Sequence, residues 1–229
     1  MNVSLIRYTQ QPELVVALAA KLCYSPSTLS ELEGRMDQEE IGRFIHKLFG
    51  LGHTSPFEHA SFTFGIEGIS RVTSHQLVRH RIASYSQQSQ RYVSQEAFDY
   101  VTPPSIYERK ALRERFIEVM KELQDLYGDL IKEGISKEDA RYVLPGGCQT
   151  RIILTMNARE LFHFFNLRCC NRAQWEIRKM ADLMLFKVRE VAPHIFRKAG
   201  PPCLVGPCPE GEMSCGNPRG ELLSVVHEG

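Results

Sequence analysis

The sequence predicts an α+β fold, and three observations carry the prediction. Short stretches of strand character stand at Val3 to Tyr8, Ala60 to Glu67 and Ile152 to Met156. Between and after them lie segments whose apolar residues recur with the helical period. No internal repeat and no domain-separating linker interrupts residues 1–199, which read as one domain, before a Pro/Gly/Cys-rich tail over residues 200–229.

Each element has its own warrant. After the strand at Val3, Gln11-Pro12-Glu13 opens a helix through LVVALAAKLCY, since Pro is tolerated in a first turn. Ser25 to Gly34 reads as a loop. A helix follows with Ile41, Phe44, Ile45, Leu48 and Phe49 on one face, and Gly50 and Gly52 can end it. Ala60, Phe62, Phe64 and Ile66 alternate with Ser61, Thr63, Gly65 and Glu67, a strand with one buried face. Ser70 can cap the next helix, on which Val72, His75, Gln76 and Arg79 share a face. One long helix is expected from about Ile106 to Lys132, striped by Leu112, Phe116, Val119, Leu123, Leu126 and Leu130. Ser136 begins a capping box for a short helix that Pro145 ends. Ile152 to Met156 suits a buried strand. Asn157 can cap a helix with Leu161, Phe164, Phe165 and Leu167 on its core side, and Asn171 can cap the last long helix.

Composition narrows the function classes. The chain of 229 residues is 43% hydrophobic and 24% charged, ordinary for a soluble globular protein. Its formal net charge of +1 argues against a general nucleic-acid binder. No apolar run reaches membrane-spanning length, and the N-terminus lacks the pattern of a secretory signal. A cytoplasmic protein with seven reduced Cys is expected.

The positive charge is concentrated instead. Ser70 to Val93 holds Arg71, Arg79, Arg81 and Arg91 with no Lys and no acid, among many Ser, Thr and Gln. Guanidinium fits phosphate or carboxylate oxygens two at a time, so an anion site is favoured over a solvated basic surface. Arg79 and Arg81 would lie about 200° apart on a continued helix. A helix ending near His80 would let them serve different ligand groups. Arg168 shares the apolar face of Leu161 and Phe164, so it needs either an internal carboxylate, Glu160 or Glu176, or a ligand. The segment His53 to His59 matches no strong zinc spacing and reads as a loop presenting polar groups to a ligand. Cys203, Cys208 and Cys215 could bind a metal, but an irregular reduced tail is favoured.

Residues 79–91 give RHRxxSxxxxSxR, which resembles the signature of the flavin-dependent thymidylate synthases, the ThyX family. HTSPFEHASFTF and QLVRHR upstream, then EDARYVLP, TxNxRE at Thr155 to Glu160 and LRCCNRAQWEIR, stand in the family's order. The resemblance implies an antiparallel sheet flanked by long helices, in a homotetramer whose active sites are shared between subunits. It implies methylation of deoxyuridylate (dUMP) to thymidylate (dTMP), with 5,10-methylenetetrahydrofolate as carbon donor and NADPH as reductant through FAD. It assigns Gln76, Leu77, Val78, Arg79, Gln87, Gln88, Ser89, Gln90, Arg91, Arg141 and Arg168 to dUMP. It assigns Ser55, Arg79, His80, Arg81, Gln87, Asn157, Arg159 and His163 to FAD. Arg168, against the uracil ring, and His53, near folate and flavin, would be catalytic, and no metal is implied.

The sequence departs from the family in two places, one of them a pair of residues. Ser86-Gln87 stands where many members have Asn-Glu, and Arg172 stands where many have His. None of the seven Cys lies in the Arg-rich motif, which suits an enzyme without a cysteine nucleophile. Two other functions remain open on the residues alone: a non-catalytic nucleotide sensor, and an RNA-binding module using the Arg and Tyr of residues 79–92. The low net charge and the lack of an aromatic stacking pattern weigh against the latter.

Overall fold

The computed structural model describes residues 1–220; the last part of the expected tail, residues 221–229, lies outside them. Strand β1 (Asn2–Tyr8) leads to α1 (Pro12–Leu22), α2 (Leu29–Arg35) and α3 (Gln38–Gly50). Strand β2 (Ser61–Ser70), α4 (Arg71–Leu77) and β3 (Ser84–Gln87) carry the Arg-rich segment. Then come α5 (Pro104–Tyr107), α6 (Lys110–Lys132), α7 (Lys137–Ala140), β4 (Gln149–Asn157), α8 (Ala158–Arg168), α9 (Trp175–Val191) and α10 (Pro193–Phe196). The four strands form one antiparallel sheet in the order β1-β2-β4-β3.

The chain divides into two compact units, one of residues 1–2, 66–79 and 85–153, the other of 3–65, 80–84 and 154 onward. The first unit packs Phe98, Met120 and buried Cys148 with Tyr100, Phe116, Leu123 and Leu144. The second is built on α1, α3, α8, α9 and α10, with Val16, Ile45, Phe62, Phe164, Met184 and Phe196 fully buried. Glu13, also buried there, accepts the backbone N–H groups of His194 and Ile195 at 2.6 and 3.2 Å. Its charge is satisfied by the free donors at the start of α10. Among the described residues no helix is long and apolar enough to cross a membrane.

Several expectations are corrected. The loop expected at Ser25 to Gly34 contains α2, because Thr28 and Glu31 form a reciprocal capping box. The long helix breaks at Glu108–Arg109 into α5 and α6. Its buried residues are Met120 and Tyr127, while Leu112 and Leu126 of the expected stripe are 51% and 45% exposed. Strand β4 is buried on one face only: Thr150, Ile152, Leu154 and Met156 point inward and Ile153 is exposed. Leu167 is exposed, not core. Gln174, not Asn171, caps α9, its side-chain oxygen accepting from the N–H groups of Glu176 and Ile177.

Candidate active site

His53 owes its place to the end of α3. Gly52 takes φ +70°, a conformation that glycine adopts without a Cβ penalty. The N–H of Gly52 then reaches the carbonyl of Phe49, and the N–H of His53 that of Leu48. This is the reciprocal C-terminal pattern that satisfies free helix carbonyls. The ring of His53 is exposed, stacked at 6.2 Å on Tyr24, with Nδ1 3.5 Å from the tyrosine hydroxyl. Ser55 opens the 3-10 turn Ser55–His59 and is exposed.

Asn157 ends β4 and caps α8, its Oδ1 accepting from the N–H of Glu160 at 2.9 Å. That bond uses the oxygen and not the amide nitrogen. Arg159 pairs with Glu58, and His163 is exposed. Arg168 ends the helix, where positive charge is favoured by the helix dipole. Between Glu160 and Arg168 lies the ring of His80. Nδ1 is 3.3 Å from a Glu160 carboxylate oxygen, and Nε2 accepts from Nε of Arg168 at 3.0 Å. His80 and Glu160 are each 6% exposed. Glu160 and Arg168, eight residues apart on α8, are separated by about 12 Å of helix rise. They do not pair directly; the imidazole bridges them.

The electrostatics fit this arrangement. Burial, the Arg168 guanidinium and His163 hold His80 down at about 4, so its ring is neutral at neutral pH. Burial pushes the Glu160 carboxyl up and lowers the Arg168 guanidinium from its ordinary value. His80, expected on the flavin, thus turns both ring nitrogens to protein groups. Arg168 also lines a cleft of about 730 Å³, with Asn171, Arg172 and residues of the tail. Arg172 pairs with Glu210 across that region.

The other unit holds most of the residues expected at the nucleotide. The helix α4 ends at Leu77, before His80 as expected, and Ser70 caps it by accepting from Thr73 N–H. Leu77 is fully buried and its carbonyl accepts from the Tyr85 hydroxyl at 2.9 Å, so its side chain belongs to the core. Gln76 is half-buried, and Val78 and Arg79 are exposed. The amide nitrogen of Gln87 donates to Ser74 Oγ and Thr150 Oγ1 at 2.9 and 3.1 Å, tying β3 to α4 and β4. Gln88 donates its N–H to the Arg151 carbonyl, and the Gln90 amide lies 3.9 Å from Cys148 Sγ. Ser89 Oγ accepts the N–H of Arg91. Arg91 forks onto Glu138 with both contacts at 3.0 Å, and Arg141 donates to the Glu138 carbonyl. A fork onto a carboxylate is also the geometry a phosphate accepts.

Among the described residues Arg79 and Arg81 have no acidic partner, and both are exposed. Guanidinium groups in that state can meet an anionic ligand. Cys148 and Cys169 are fully buried, and burial pushes their thiols up, Cys148 to about 11. Among the described residues no cluster of three His, Cys, Asp or Glu could hold a metal ion. Residue-by-residue reading missed the bridge through His80 and the anchoring of Gln87 by Ser74 and Thr150. Glu160 stood in the quoted TxNxRE segment, but only as a direct partner for Arg168.

Residues 4–194 match the family described as thymidylate synthase complementing protein. The chain belongs to this family. It is 56% identical over 218 residues to a protein of Geobacter sulfurreducens named flavin-dependent thymidylate synthase, covering 94% of each chain. A protein of the same name from Clostridium tetani is 51% identical over 232 residues, covering 94% of this chain and 93% of the relative. One from Pyrococcus abyssi is 44% identical over 222 residues, covering 93% and 91%. Every residue assigned to a ligand lies inside the matched segment.

Proposed function

We propose that the chain is a flavin-dependent thymidylate synthase that methylates dUMP to dTMP, taking the carbon from 5,10-methylenetetrahydrofolate and reducing equivalents from NADPH. The observation that carries the reading is the family match over residues 4–194. Bound FAD would supply the hydride chemistry. The protein's part is to hold, orient and polarise.

Arg79 and Arg81 would meet anionic groups of FAD, with Ser55, Asn157, Arg159 and His163 around the flavin. Arg159 would first exchange its Glu58 partner for the ligand. Gln76, Arg79, Gln87 to Arg91 and Arg141 would hold the nucleotide, Val78 lining it and Leu77 acting through its backbone. Making uracil nucleophilic requires negative charge along its N3 edge, and Arg168 is the group assigned to stabilise it. The buried, high-pKa Cys148 and Cys169 support a reaction without cysteine attack. His53 is assigned a position near folate and flavin.

A homotetramer with shared active sites belongs to this proposal. The exposed Leu112 and Leu126, about 40° apart around α6, support burial of that face in an assembly. The proposal also includes an enzyme domain of residues 1–199 and a tail of 200–229, acting in the cytoplasm on small molecules. The purified protein should be yellow and release FAD on denaturation. A colourless protein that takes up no flavin on incubation with FAD would sink the reading.

A further inference from the structure

We infer that Glu160 is a positioning residue for the reaction: acting through His80, it sets the plane of the Arg168 guanidinium. The inference rests on the assignment of Arg168 to the uracil ring and adds the part that aims it. The donor capacity of each atom fixes the tautomer of His80. An arginine Nε–H only donates, so the His80 Nε2 it meets at 3.0 Å must carry a lone pair. The ring proton is then on Nδ1, facing the Glu160 carboxylate at 3.3 Å. Both histidine and glutamate are buried, so water does not compete for these positions.

Glu160 thereby selects one of the two neutral tautomers. Without an acceptor at Nδ1 the ring can carry its proton on Nε2, which would set N–H against N–H and release Arg168. The bond to His80 uses Nε, the inner nitrogen, and so orients the guanidinium without using its two terminal nitrogens. A terminal edge held in one plane is what recognition of a flat ring edge requires. Phe164 packs edge-on against the His80 ring at 5.0 Å and His163 lies at 5.8 Å, which limits rotation of the imidazole. The low pKa of His80 accords with a ring that stays neutral while it accepts from Arg168.

The test uses flavin-loaded Glu160→Leu, Glu160→Gln and Arg168→Ala proteins, with dUMP affinity measured by calorimetry and kcat and KM by dTMP formation. Glu160→Leu should lose about tenfold or more in kcat and weaken dUMP, as misaimed groups do. Glu160→Gln keeps an oxygen acceptor for Nδ1–H and should stay within about threefold. ¹⁵N-histidine NMR of the unsubstituted protein should show His80 as the Nδ1–H tautomer, a readout that does not depend on any variant folding. An Nε2–H or doubly protonated His80 at pH 7.5 overturns the inference. So does a folded Glu160→Leu enzyme with unchanged kcat and dUMP affinity while Arg168→Ala is impaired. If Arg168→Ala itself binds and turns over dUMP normally, the assignment of Arg168 fails and this inference falls with it.

Discussion

His80 and Glu160 face each other at 3.3 Å, both buried, yet they do not form an ion pair at neutral pH. Burial is the first cause, and Arg168 adds to it by donating to the opposite ring nitrogen. A histidine with its pKa lowered to about 4 binds fewer protons folded than unfolded between that value and its ordinary 6.5. Stability contributed by the neutral ring is therefore complete above pH 6.5 and is lost as pH falls toward 4. The loss should be on the order of 2 kcal/mol by pH 4.5. Urea unfolding at a series of pH values checks it, and His80→Gln should flatten that part of the profile.

Arg168→Ala should retain flavin and lose most turnover and nucleotide affinity. Removing a charge that stabilises a developing anion costs about 10²–10³ in kcat. Steady-state kinetics together with the flavin spectrum separate this from a folding defect. Normal activity would remove Arg168 from the site.

Arg219 spreads its terminal nitrogens over both carboxylate oxygens of Asp182 at 2.8 and 3.0 Å, and also donates to the Cys169 carbonyl. The pair is mostly buried, and it fastens residue 219 to α9. Arg219→Ala should lower stability by about 1–3 kcal/mol, since it leaves a carboxylate and a carbonyl without this donor. Thermal melting gives the size, and faster cleavage after Glu210 or Glu212 by a glutamyl endopeptidase would show that the lost tie is local.

Cys148→Ala and Cys169→Ala should each keep turnover within about threefold, because a buried thiol raised to high pKa offers almost no thiolate. In the native enzyme iodoacetamide should label exposed Cys23 and Cys215 before either buried residue. Loss of turnover in a folded, flavin-loaded Cys148→Ala protein would reopen nucleophilic catalysis by that residue.

What the sequence made legible follows the strength of local signals. Ser70, Ser136 and Asn157 announced helix starts because a short side-chain oxygen can reach the third following N–H, and each does so. Thr28 and Glu31 carried the same signal inside a stretch with little apolar periodicity, and α2 was missed for that reason. Asn171 looked like a cap by type, but Gln174 stood closer to the first helical turn. Leu112 and Leu126 matched a buried stripe by period, which cannot tell whether a face is covered within one chain. The Arg-rich motif was legible as chemistry. The bridge from Glu160 through His80 to Arg168 was not, because it joins residues 80 positions and more apart and depends on ring orientation.

The most direct measurement is dTMP formation by the purified, flavin-loaded protein, followed by product chromatography in parallel with NADPH absorbance. Multiple turnovers that require dUMP, 5,10-methylenetetrahydrofolate and NADPH together are the predicted result. NADPH oxidation without any dTMP when all three are present, from a folded and flavin-loaded protein, would contradict the account.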